Sequence, residues 1–153
     1  MGVISAIGNS VAENHIALTE AVCGVKKEFS LFPTKYAGML PFGQVNISSV
    51  SLLKKLNITE PGVTRTTMLA LHAFNEAIQD AQVPLPQLSS FDTALIGAST
   101  VGGMCLTDEL YADANNNTEG SPYTLSYDCA SVALYLQQRF EMNGIINTIN
   151  TAC

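Results

Sequence analysis

The sequence predicts an α/β fold, a mainly parallel sheet covered by helices on both faces. Three observations carry the prediction. Residues 93–99 (TALIGAS) form a short apolar run rich in small side chains, as expected of a strand buried between two layers. Residues 145–151 (IINTINT) form a second run, β-branched and equally short. Stretches with apolar residues at helical spacing separate the strand candidates, and the order strand, helix, helix, strand, helix, helix, strand implies right-handed crossovers between parallel strands. With 153 residues, 47% hydrophobic and 13% charged, the chain can bury a real core, and residues 1–153 read as one domain.

Residues 2–7 read as the tail of a buried strand whose beginning is missing, entering the first helix through Gly8 and Asn9. Ser10 and Glu13 have the spacing of a capping box. Val11, His15, Leu18 and Val22 then recur on one face, and Gly24 offers a C-terminal cap. Residues 25–61 are mostly loop, broken by Pro33, Pro41 and several glycines around a short amphipathic piece at 51–56. The spacing of Met68, Leu71, Phe74, Ile78 and Ala81 predicts a helix over 64–81, which Pro84 and Pro86 stop. After the strand at 93–99, Gly102 and Gly103 let the backbone turn closely. A helix is expected over 106–114, and residues 115–122 (NNNTEGSP) have turn chemistry. The next helix, 128–142, places Cys129, Val132, Ala133, Leu136 and Phe140 on one face and ends at Asn143-Gly144. No internal repeat is present.

Charge excludes one class of partner. The formal net charge is −6, which repels a phosphate backbone, and no basic stretch is interleaved with aromatics, so nucleic acid is not expected. Residues 1–65 hold six of the seven basic groups and four acidic ones; residues 66–153 hold one basic and nine acidic. A docking site for an acidic partner belongs in the first part. Cys23, Cys105, Cys129 and Cys153 have no CxxC spacing, and His15 and His72 do not complete a zinc pattern, so no metal is expected. Four thiols without a framework point to a reducing compartment. The start (MGVISAIGNS) lacks a basic n-region, and no stretch reaches the roughly 18 apolar residues of a membrane span, so a cytoplasmic location is expected. The N-x-[ST] triplets at Asn46, Asn57 and Asn116 read as chance matches.

The final segment, NTINTAC, places the Cys153 thiol at the carboxyl end of a buried strand, where ligands of open α/β sheets gather. A helix following it would aim N-terminal amides at the sulfur, lowering its pKa and offering donors to an oxyanion. Spacing alone leaves two readings open, an activated nucleophile and a buried structural thiol, because unpaired cysteines commonly sit in cores.

The segment GVISAIGNSVAENHIALTEAVCGV opens with Gly-x-x-Ser-x-x-Gly; the helix over 64–83 follows, then the strand and glycine loop DTALIGASTVGG. Last comes YDCASVALYLQQRFEMNGIINTINTAC, a helix, a glycine turn and a strand leading to Thr-Ala-Cys. In this order the four segments resemble the β-ketoacyl-acyl carrier protein synthases of the thiolase-like condensing enzymes. The resemblance spans essentially the whole chain, and its last segment is the most specific.

The resemblance implies the N-terminal half of the thiolase-like fold, truncated at both ends, with its first strand clipped and its last residue the nucleophile. Cys153 would accept an acyl group from acyl carrier protein. Malonyl-carrier protein would then decarboxylate and attack that acyl thioester in a Claisen condensation, as in fatty-acid or polyketide-type synthesis, without a cofactor. Val101 corresponds to the loop residue that lines or gates the acyl pocket, and Met104 is a second candidate; packing at a subunit interface is the alternative for both. The whole enzyme would be a homodimer, with the strand at 93–99 near its two-fold interface. Lys54, Lys55 and Arg65 are candidates for docking the acidic carrier protein, the alternative being a solvated helix face. Gly144-Ile145 departs from the family's frequent Gly-Pro. The two histidines and the lysine that support decarboxylation belong to a half that is absent, and neither His15 nor His72 matches them. The chain alone is therefore expected to be inactive. Two other readings remain: a thiolase-type enzyme acting on coenzyme A thioesters, and a non-catalytic partner subunit, against which the presence of Cys153 argues.

Overall fold

The computed structural model describes residues 1–28, 30–31, 34–99, 106–117 and 119–150. Helices and strands are mixed along the chain, and the residues divide into two compact units. The first comprises Met1–Leu56 and His72–Gln82, the second Asn57–Leu71 and Val83–Cys153. Among the described residues, no helix is long and apolar enough to cross a membrane.

In the first unit, α1 (Val11–Thr19) starts where the capping box predicts it. The Ser10 hydroxyl accepts the Glu13 N–H at 3.2 Å, and the Glu13 carboxylate reaches back to the N–H of Asn9, one residue further than a strict box, at 2.7 Å. The buried face of α1 differs from the expected one: Asn14 and Ala17 are buried, while His15, Leu18 and Val22 are exposed. Asn14 sets this orientation. Its side-chain amide donates to the carbonyls of Gly8 and Ser10, and its carbonyl oxygen accepts from the Ser5 hydroxyl. The same network accounts for the missing first strand. Residues 2–7 form an irregular segment closed by a Ser5–Gly8 bridge, because their backbone groups find partners locally and on α3 rather than on a neighbouring strand. The Glu76 carboxylate accepts the N–H of Val3 at 2.9 Å and of Val11 at 2.8 Å, and the Met1 amino group pairs with Asp80.

The stretch expected to be mostly loop contains a two-residue antiparallel ladder, β1 (Val25–Lys26) with β2 (Phe42–Gly43), and α2 (Ser49–Leu56), which buries Leu52 and Leu56. The long helix α3 (Arg65–Ala81) matches the expected 64–81 and gives residues to both units. At its start Thr64, buried, accepts the N–H of Thr67 at 3.1 Å. Its end precedes Pro84, which instead opens a short α4 (Leu85–Leu88).

The second unit holds β3 (Leu95–Ala98), α5 (Thr107–Asn116), a 3-10 turn (Thr124–Tyr127), α6 (Ser131–Arg139) and β4 (Ile146–Ile149). β3 and β4 pair in parallel, as the fold class requires. The expected layer arrangement needs correction. Among the described residues the parallel sheet has two strands, and α6 packs on one face of both. Exposure alternates along each strand, leaving Ile96 and Ile149 on the open side 58% and 55% exposed. α6 buries Ala133 and Leu136 but ends at Arg139, short of the expected 142, because Glu141 takes the left-handed conformation (φ 50°) that Gly144 was expected to supply. Gly144 has a different use. A β-carbon there would stand 1.8 Å from the carbonyl oxygen of Thr93, so only glycine lets the chain pass this close as it enters β4.

Candidate functional site

The site is built from the second unit's parallel strands. β3 and β4 run in register, Leu95 beside Ile146 and Ala98 beside Ile149, with the Leu95 N–H donating to Ile145 at 2.9 Å and the Ser99 N–H to Ile149 at 3.3 Å. Their last described residues, Ser99 and Asn150, therefore leave the sheet at one end, the carboxyl end where open α/β sheets gather ligands. In the sequence β3 is followed by Gly102-Gly103 and β4 by Thr151-Ala152-Cys153, and both of these segments lie outside the described residues.

Beside the strands, α6 closes a cleft of about 160 Å³ lined by Ala98, Ser99, Cys129, Val132, Leu136 and Thr148 among others. Gly97 permits the close packing, since a β-carbon there would lie 3.3 Å from that of Ala133. Cys129 sits in the turn before α6 rather than on the helix. There the Asp128 carboxylate accepts the Ala130 N–H at 2.7 Å and fixes the chain's entry. Cys129 is half-buried. The buried Thr148 hydroxyl has no hydrogen-bond partner among the described residues. The cleft thus combines an apolar wall with a thiol and a buried polar atom, features of a small-molecule site. Sequence reasoning missed that Cys129 and Thr148 line one cleft, which depends on how α6 packs on the strands; the one available signal was a threonine at an inward position of β4.

Cys153, Val101 and Met104, the expected nucleophile and acyl-pocket residues, lie outside the described residues. Lys54 and Lys55 are exposed in the last turn of α2, in the first unit. Arg65, half-buried at the start of α3, belongs to the second. His72 is buried and donates from Nε2 to the Asn9 carbonyl at 2.7 Å, a packed histidine, whereas His15 is exposed. Among the described residues no cluster of His, Cys, Asp and Glu is arranged to hold a metal ion. No protein-family model and no curated protein matches the chain, so its reading rests on its own residues and geometry.

Proposed function

We propose that this chain is the nucleophile-bearing part of a condensing enzyme with the thiolase-like fold, acting on thioesters of acyl carrier protein. The observation that supports this best is the parallel, in-register pairing of β3 and β4, which brings the approaches to the glycine loop and to Thr-Ala-Cys to the same end of one sheet. That arrangement suits a thiol that must meet an acyl chain. In the proposed reaction the Cys153 thiolate attacks the thioester carbonyl, a carbon–sulfur bond forms, and the carrier's thiol leaves with a proton. Malonyl-carrier protein then loses carbon dioxide, its carbanion attacks the acyl-enzyme, and the Cys153 thiolate is released. Val101 and Met104 would border the acyl chain. Lys54 and Lys55, exposed on α2, supply positive charge for an acidic carrier, with Arg65 a further candidate.

Intact-mass analysis tests the proposal. The full-length protein carrying this chain, incubated with acyl-acyl carrier protein, is expected to gain the mass of one acyl group. The Cys153→Ser variant is expected to gain none, and this chain alone to gain none. A gain with acyl-coenzyme A but not with acyl-carrier protein would favour a thiolase-type enzyme. No gain on the full-length protein with either donor would remove the catalytic reading and leave the partner subunit.

A further inference from the structure

Another cleft lies elsewhere in the second unit, between α6, the chain leading into α3 and the 3-10 turn, and has a volume of about 330 Å³. That is the lower end of the size range of small-molecule sites. Its walls are apolar, supplied by Val63, Pro122, Leu125 and Leu134. Gly62 makes the closed side possible. With φ at 78° and room for no side chain, its backbone approaches the Pro122 carbonyl, to which a β-carbon would stand at 2.8 Å. One end is polar. The Arg139 guanidinium, which donates to the Asn57 carbonyl at 3.4 Å, forms an ion pair at 3.8 Å with the Glu60 carboxylate, which accepts the Thr59 N–H at 2.9 Å. The guanidinium has five N–H groups and the carboxylate several lone pairs, so the two set donors beside an acceptor. Backbone N–H groups at Glu60 and Thr59, and to a lesser degree Arg139, hold the Glu60 carboxyl below its usual range, which keeps the acceptor ionised. Along the α6 side, the buried hydroxyls of Ser131 and Tyr135, one helical turn apart, have no partner among the described residues.

We infer that this cleft binds a small neutral carboxamide with an aromatic or branched aliphatic body, its carbonyl accepting from Arg139 and its N–H donating to Glu60. A carboxamide matches a donor and an acceptor placed side by side. A carboxylate or an ammonium is attracted by one member of the pair and repelled by the other, whereas a neutral carboxamide uses both as hydrogen-bond partners without opposing either charge. The body lies against Leu125, Leu134 and Pro122. The inference does not depend on the condensing-enzyme reading, since none of these residues belongs to the strand-end site.

Ligand-observed NMR titration of this chain with benzamide, benzoate and benzylamine decides it. Benzamide is expected to bind at least fivefold tighter than either charged analogue. Glu60→Gln and Arg139→Gln should each weaken benzamide at least threefold, and Leu134→Glu at least fivefold. Leu134 is 40% exposed, and circular dichroism checks that the variant folds; Leu125→Glu, at a residue 71% exposed, repeats the test should it not. Equal binding of the three probes, no binding of benzamide, or benzamide binding unchanged in a folded Leu134→Glu or Leu125→Glu protein would overturn the assignment.

Discussion

The carboxylate of Glu76 accepts two backbone N–H groups that no secondary structure satisfies, from Val3 and from the first residue of α1. These donors, Val3 first and then Val11, hold its carboxyl below the usual range against a small opposing effect of burial, with His72 and the chain's amino terminus adding to the lowering. A carboxyl whose pKa is lower in the folded chain stabilises above its unfolded value, roughly 4.3, and loses that contribution as pH falls through the lower folded value. Glu76→Gln is therefore expected to reduce stability by about 1 kcal/mol at pH 7, the scale of a lost helix-cap interaction. The gap between wild type and variant should shrink below pH 4. Urea unfolding at pH 7 and pH 3 measures this, and an equal gap at both values would show that the ionised carboxylate is not what ties the segment down. Neither Glu76 nor Asn14 stood out in the sequence. Both act through polar contacts, one of them between residues far apart in the chain, which hydrophobic spacing does not record.

Helices were legible where spacing and punctuation agreed. α3 follows from its apolar repeat, a Thr64 start and a Pro84 stop, and α1 from its Ser10 cap. Their ends and faces were less so. Four helices are followed by a non-glycine residue in the left-handed region: Ala21 after α1, Asn57 after α2, Gln82 after α3 and Glu141 after α6. Around Ala21 and Glu141 the chain closes as a glycine terminus would, with the N–H of Val22 on the Ala17 carbonyl at 2.8 Å and that of Met142 on the Gln137 carbonyl at 3.0 Å. Glycine expectations at 24 and 144 thus placed the ends too late. The β-carbon makes this conformation costly except for glycine and, less so, asparagine. Gln82→Gly and Glu141→Gly are each expected to stabilise the protein by about 0.5–1 kcal/mol, after the entropy that glycine adds to the unfolded chain. Asn57→Gly should gain less. Urea midpoints compare the three, and a fall in midpoint for both Gln82→Gly and Glu141→Gly would mean that side-chain contacts there outweigh the backbone strain. The β1–β2 ladder was not legible at all, since two residues per strand leave no alternation to read.

For the molecule as a whole, the parallel pairing was readable and its covering was not. Short apolar strands suggested burial on both faces, yet α6 covers one, and Ile96, Ile145 and Ile149 remain exposed. Parallel sheets are ordinarily covered on both sides, and an open apolar face attracts hydrophobic probes. The protein is expected to enhance the fluorescence of anilinonaphthalene sulfonate in its native state, and Ile96→Thr with Ile149→Thr, which keeps β-branching at both positions, should reduce that signal at least twofold. Undiminished fluorescence in a folded double variant would assign the dye to another surface. The cleft beside Cys129 was not legible, because it depends on how the strands pair and on how α6 packs across them, neither of which belongs to any one segment. Register also gives Gly144 a wider meaning. Seated on the Thr93 carbonyl where no other residue fits, it works as the zero mark of a ruler: the count of residues from that seat determines which side chains of β4 meet α6 and how far along the sheet the strand gives out. One residue inserted after it would advance the chain by about 3.3 Å and turn Thr148 to the opposite face. The distance from glycine to strand end is thus a dimension of the site, held by a residue that takes no part in its chemistry.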